Sequence, residues 1–178
     1  DNAVIQERLK SLLGPAVFGQ LAHYRSLGLR DRILGLPLMV AAVLMLLWRQ
    51  VPSVCELAKL LAREDAFWTP AVKVSQQALS RRFLTFPAEL FQRVLLDLLP
   101  QLRQRWVARQ RPLPESVVQA QKSFSRIFAV DGSTLEALFR KLAALQDTPP
   151  GSLAGKICTV IDLAARLPEY LWFTPDAQ

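Results

Sequence analysis

The run ILGLPLMVAAVLMLLW, residues 33–48, limits the possible folds more than any other stretch, because it places 16 residues without a charge in the middle of a basic chain. At about 1.5 Å per residue such a helix falls short of a hydrocarbon core of about 30 Å, which takes about 20 apolar residues. Gly35 and Pro37 lie inside the run, and Arg30, Asp31, Arg32 and Arg49 bracket it closely. It therefore reads as a buried helix around 37–48 and not as a membrane span.

Amphipathic helices flank that run. In VIQERLKSLL (4–13), Val4, Ile5, Leu9, Leu12 and Leu13 fall on one helical stripe, and the three glycines of residues 14–32 then break the pattern. Ser53 and Glu56 have the spacing of a capping box, so a helix starts at Val54 with Leu57, Leu60 and Leu61 on its inner stripe. Asp65 to Pro70 interrupts it. A second helix follows in VSQQALSRRFL, with Ser75 as N-cap and Ala78, Leu79 and Phe83 inward, leaving Gln76, Gln77, Ser80 and Arg81 outward. FPAELFQRVLLDLL repeats the apolar spacing through Phe91, Val94, Leu95 and Leu98, with Pro87 suited to a first turn.

The charge is unevenly placed. The chain carries a net +7, with a pI of about 10.0. Residues 1–125 hold 17 Lys and Arg against 9 Asp and Glu, whereas residues 126–178 hold 5 against 6. A basic first part favours a polyanion such as nucleic acid over a small acidic substrate. Two features there have suitable chemistry. The helices at 54–64 and about 75–84 form a candidate helix-turn-helix, in which amide and guanidinium groups of the second helix (Gln76, Gln77, Ser80, Arg81, Arg82) would meet base edges or phosphates. Their ten-residue connection is longer than the usual turn. Arg103, Arg105, Arg109 and Arg111, spaced around Trp106, would neutralise phosphates. The alternatives are a polar solvent-facing stripe and a solvated helix end.

Beyond two prolines the apolar period changes. RIFAVD, GKICTVIDL and EYLWFTP are short runs of β-branched and aromatic residues. A helix is expected between the first two, because Ser133 and Glu136 repeat the capping spacing and Leu135, Leu138, Phe139 and Leu142 share a face. The fold class is α+β: a helical domain over 1–115, a linker over 116–125, and the first strands of a mixed sheet over 126–178. Cys55 and Cys158 are too far apart to suggest a zinc site or a disulfide framework, which fits a reducing compartment. His23 has no suitable partner nearby in sequence and reads as a surface residue. The chain has neither an initiator Met nor a signal peptide, which suggests that it starts inside a longer reading frame.

FAVDGSTL (128–135) is the sharpest motif. A carboxylate at the end of a strand can hold a hard divalent cation with positions left for phosphate and water. Asp-Gly after a strand is also ordinary turn chemistry. Asp162 and Asp176 read as strand-end turn residues.

The succession KVSQQALSRRFLTFPAELFQRVL, FAVDGSTL and GKICTVIDLAARLPEYLWFTP resembles the N-terminal part of a bacterial DDE-type insertion-sequence transposase of the insertion-sequence-four-like group, over roughly residues 70–178. The resemblance implies a helical domain that binds transposon ends in double-stranded DNA, followed by the first strands of an RNase-H-like catalytic domain. It assigns Asp131 as the first of three carboxylates that hold two Mg²⁺ or Mn²⁺ ions for in-line attack on a phosphodiester. The second aspartate and the glutamate would lie beyond Gln178, so the chain reads as incomplete and inactive alone. A cytoplasmic, nucleoid-associated bacterial protein that can form homo-oligomers, without a membrane or small-molecule substrate, follows from the same resemblance. Two other readings stay open: a DNA-binding protein without catalysis, and an actin-like kinase whose phosphate loop is DGST, against which stand the adjacency of Asp and Gly and the expected helix after them.

Overall fold

The computed structural model describes residues 2–30, 32–108, 112–135 and 155–174. These described residues form two compact units, one up to Leu98 and one from Leu99.

The first unit is organised around the apolar run. That run forms α3 (Leu36–Trp48), in which Leu36, Met39, Ala41 and Ala42 are fully buried and Leu38, Val40 and Met45 nearly so. A helix apolar on all sides is stable only when it is covered all round. Burying each of its large side chains contributes about 1.5–3 kcal/mol. Pro37 lies in the first turn, where its missing N–H removes a donor that has no helical partner anyway. The cover comes from α1 (Asn2–Gly19), α2 (Leu21–Ser26), α4 (Val54–Arg63), α5 (Gln76–Thr85) and the start of α6 (Ala88–Ala108). Tyr24, Val17, Leu57, Leu61, Leu79 and Leu90 complete the core. Among the described residues no helix is long and apolar enough to cross a membrane.

The caps expected at Ser53 and Ser75 are present, whereas Ser133, the third expected cap, is a strand residue. Ser53 Oγ accepts from the Glu56 N–H at 3.2 Å and Ser75 Oγ from the Ala78 N–H at 3.1 Å, which starts α4 at Val54 and α5 at Gln76. Two details of the inner faces differ from expectation. Ala78 is exposed, so α5 buries Leu79 and packs Phe83 without it. The expected stripe on α1 is displaced as well: Val4 and Ile5 are exposed, and burial starts at Leu13 and continues through Ala16 and Val17. The helix runs through Gly14 and Pro15, with apolar contacts on both sides of that pair, from Leu9 and Leu13 and from Ala16 and Val17. Tertiary burial outweighs local helix-breaking preference there.

The segment between α4 and α5, residues 64–75, is held in place at several points. Ala66 and Thr69 exchange backbone hydrogen bonds at 2.8 and 2.9 Å around a two-residue turn, and Phe67 takes a φ of 55° at its tip. A bulky side chain pays for positive φ only when packing holds it. Phe67 is buried against Trp48 and Trp68, and the Trp68 indole donates to the Pro37 carbonyl at 3.0 Å.

In the second unit, α6 continues through Pro100 to Ala108. Pro100 and Leu96 are both exposed, so water can reach the Leu96 carbonyl that loses its helical donor. A further helix, α7 (Glu115–Gln121), occupies most of the stretch read as a linker. β1 (Phe128–Thr134), β2 (Lys156–Asp162) and β3 (Leu167–Thr174) form a sheet in the order β1-β2-β3. All three expected strands are present. The described sheet is antiparallel throughout, not mixed, with a bulge between Val160 and Ile161. The helix expected after Ser133 lies almost wholly outside the described residues, as does Asp176.

Candidate nucleic-acid interface

α5 presents the polar side that the sequence singles out. Gln76, Gln77 and Arg81 are exposed and Ser80 is half-exposed. The helix is fixed beneath them by Leu79, which is fully buried, and by Phe83. Arg82 is placed differently from its neighbour. Its Nε donates to the Leu34 carbonyl at 3.1 Å, an Nη donates to the Tyr24 hydroxyl at 3.0 Å, and its guanidinium lies 5.0 Å from the Phe86 ring centroid. Tyr24 in turn donates to the Arg30 carbonyl at 2.9 Å. Arg82 thus joins α5 to the loop before α3 and does not stand free on the outer side. α4 packs directly on α5, but twelve residues (64–75) connect them, so the pair lacks the short turn of a simple helix-turn-helix.

The second basic feature divides in the same way. Arg103 pairs with Glu169, and Glu169 also takes Arg126 at 2.8 Å, while Arg126 reaches Asp162 at 3.2 Å. The Trp106 indole donates to the Ala164 carbonyl at 3.0 Å, and Arg166 lies 5.6 Å from the Trp106 ring. These groups dock the end of α6 on the β2–β3 turn. Arg103, expected to meet phosphate, is therefore engaged by a carboxylate that is only 11% exposed. Arg105 is exposed, with no such partner among the described residues. Arg109 and Arg111 lie outside the described residues.

Asp162 closes the same turn. Its Oδ1 accepts the N–H groups of Ala164 and Ala165 at 2.9 and 3.1 Å, the turn role its sequence position suggests. Burial is the largest single influence on its carboxyl and pushes its pKa up, but the Ala165 N–H, the Arg126 guanidinium and the Ala164 N–H together hold it below the ordinary value.

Asp131 departs most from expectation. It lies in the middle of β1, three residues from either end, and not at a strand terminus. Gly132 is a strand residue opposite Cys158, so neither residue forms a turn. Seven consecutive cross-strand pairs hold β1 to β2 through the motif, which overrides the turn preference of Asp-Gly. The helix expected after DGST lies outside the described residues apart from Leu135, so it leaves the kinase reading where it stood, with the adjacency of Asp and Gly against it. Register puts exposed Asp131 on one face with Ser133, Thr159 and Leu171. One carboxylate beside two hydroxyls does not make a two-metal centre. Among the described residues no group of three His, Cys, Asp or Glu could hold an ion. Asp131 can supply one ligand and no more.

The sequence reading also missed a polar network in the first unit. His23 Nε2 lies 3.1 Å from Glu89 Oε1, so His23 does have a partner, brought to it by α6. The buried Gln20 bonds Asp97 and accepts from Arg93 Nε at 2.8 Å. These pairs lie 66 to 77 residues apart in sequence, and no local spacing reveals them. Comparison with known protein families, with characterised proteins and with solved structures finds no match to this chain.

Proposed function

We propose that the helical unit binds double-stranded DNA, with the outer side of α5 meeting the groove and Gln76, Gln77 and Arg81 making its base-edge and phosphate contacts. One observation carries this reading. Of two adjacent arginines on one capped helix, the side chain of Arg82 is committed to the protein, while Arg81 and both glutamines are exposed and their side chains have no partner among the described residues. Amides suit adenine and guanidinium suits guanine or phosphate, and a good bidentate pair discriminates by about 1–3 kcal/mol. The basic balance of residues 1–125 supports a polyanionic partner.

Within that reading the chain is the N-terminal part of a DDE-type transposase, with Asp131 as one ligand for Mg²⁺ or Mn²⁺ in an RNase-H-like domain. The order of a helical unit followed by strands, and an exposed carboxylate on β1, support it. The described residues derive no catalytic step, and the purified chain is expected not to cleave or join DNA. A DNA-binding protein without catalysis is the alternative, supported by the single carboxylate at that position. Binding to a panel of duplexes at several salt concentrations tests the shared part. Affinity falls steeply with salt, and Gln77→Ala with Arg81→Ala narrows the spread of affinities across the panel. Flat salt dependence removes the DNA reading for both.

A further inference from the structure

The first unit carries another cluster of cations beside α5. The loop between α2 and α3 and the inner side of α5 border an open depression of about 520 Å³, lined by Leu29, Ile33 and Leu34 and by Arg30, Arg32 and Arg82. Arg30 and Arg32 are exposed and Arg82 is partly buried. All the partners of the Arg82 side chain described above are neutral: a carbonyl, a hydroxyl and a ring face. Of its five N–H donors only two are used by those hydrogen bonds. Among the described residues no carboxylate lies within ion-pair distance of any of the three guanidiniums.

Arg30, Arg32 and Arg82 bring three positive charges to this stretch against the one negative charge that Asp31 adds in the sequence, and their net repulsion is strongest where apolar walls thin the water. An anion that bridges them relieves that repulsion, and the planar fork of Arg matches the oxygens of a phosphate. The volume is far above the roughly 30 Å³ share of one water, so a phosphate can enter together with the body that carries it. Arg82 follows Arg81 in sequence and binds the loop directly to α5, so this depression adjoins the helix that carries Gln76, Gln77 and Arg81.

We propose that the depression lined by residues 28–30, residues 32–34 and Arg82 of α5 is a phosphate-binding site, and that the phosphate is a backbone phosphodiester of the DNA that α5 meets. The source of the phosphate rests on the DNA reading above; the site itself does not. The Nε–H resonance of Arg82, followed by NMR on the whole chain, reports the site. Inorganic phosphate and a short DNA duplex are added separately to the native protein and to Arg30→Ala with Arg32→Ala. Both replaced residues are exposed, and an unchanged Arg82 signal without ligand shows that the depression persists. The expected result is that each ligand shifts the Arg82 signal in the native chain and not in the variant. The salt slope of duplex binding then falls by about one in the variant, the value for one phosphate. No shift with either ligand, together with an unchanged slope, overturns the site while duplex binding by α5 still stands. A shift with inorganic phosphate in a chain that binds no duplex overturns DNA as the source and, separately, the DNA reading.

Discussion

At the residue scale, Arg81 and Arg82 show how two neighbours with one chemistry take different roles. Position on the helix decides it: Arg82 reaches the Leu34 carbonyl and the Tyr24 hydroxyl, while Arg81 projects outward. Arg82→Ala is expected to lower stability by about 1–3 kcal/mol in urea denaturation, because it leaves acceptors unsatisfied. Arg81→Ala is expected to change stability by no more than about 0.5 kcal/mol, as exposed substitutions do. Equal losses would mean that the two guanidiniums are not differently placed. Asp162 makes a prediction about acid. Its folded-state pKa is depressed, so the stability it contributes is fully present above its unfolded value and is lost as pH falls through the lower folded value. Denaturation midpoints of the native chain should therefore drop below about pH 4, near the unperturbed carboxylate value, and Asp162→Asn should flatten that drop.

At the element scale, β1 is the clearest case in which tertiary structure overrides a local motif. Asp-Gly has a strong turn preference, yet cross-strand pairing carries the strand through it. A Cβ at Gly132 would meet only Cys158 Sγ, at an ordinary 3.7 Å. Gly132→Ala should thus be neutral, or stabilising by up to about 1 kcal/mol, since Gly weakens a strand interior. Gly155 makes the contrast. With a φ of 119°, its added Cβ would come within 2.7 Å of the Thr174 carbonyl oxygen and 2.6 Å of the Phe173 ring. Gly155→Ala should unfold the sheet at markedly lower urea. A severe loss at Gly132 instead would restore the tight turn. The α4 and α5 caps needed no tertiary information, because Ser and the N–H three residues later meet within a single turn.

At the scale of the whole molecule, the chain forms two compact units and passes from one to the other within α6. Trp48 and Trp68 lie in the first unit, and Trp106 and Trp172 in the second. Variants that keep only Trp68 or only Trp172 should report different urea midpoints, and Leu57→Ala should move the Trp68 midpoint by about 2–5 kcal/mol in stability while leaving the other in place. Coincident midpoints in every variant would show one cooperative unit. The same scale explains what the sequence left unread. The Arg103–Glu169–Arg126–Asp162 chain and the His23–Glu89 pair join residues from distant elements, so their charges look like free solvated groups in the sequence.

The sequence alone determined the elements whose causes are local. The apolar run had to be a buried helix, the two serine caps had to start helices, and the β-branched runs had to be strands, because backbone hydrogen bonds and side-chain period act over a few residues. Only the tertiary structure decided which cations are free. Arg82 and Arg103 are taken up by groups that folding brings to them, Arg81 and Arg105 are left outward, and Arg30 and Arg32 gather beside α5. It also decided that Asp131 lies within a strand, since pairing with β2, more than twenty residues further along the chain, outweighs the local preference of Asp-Gly for a turn.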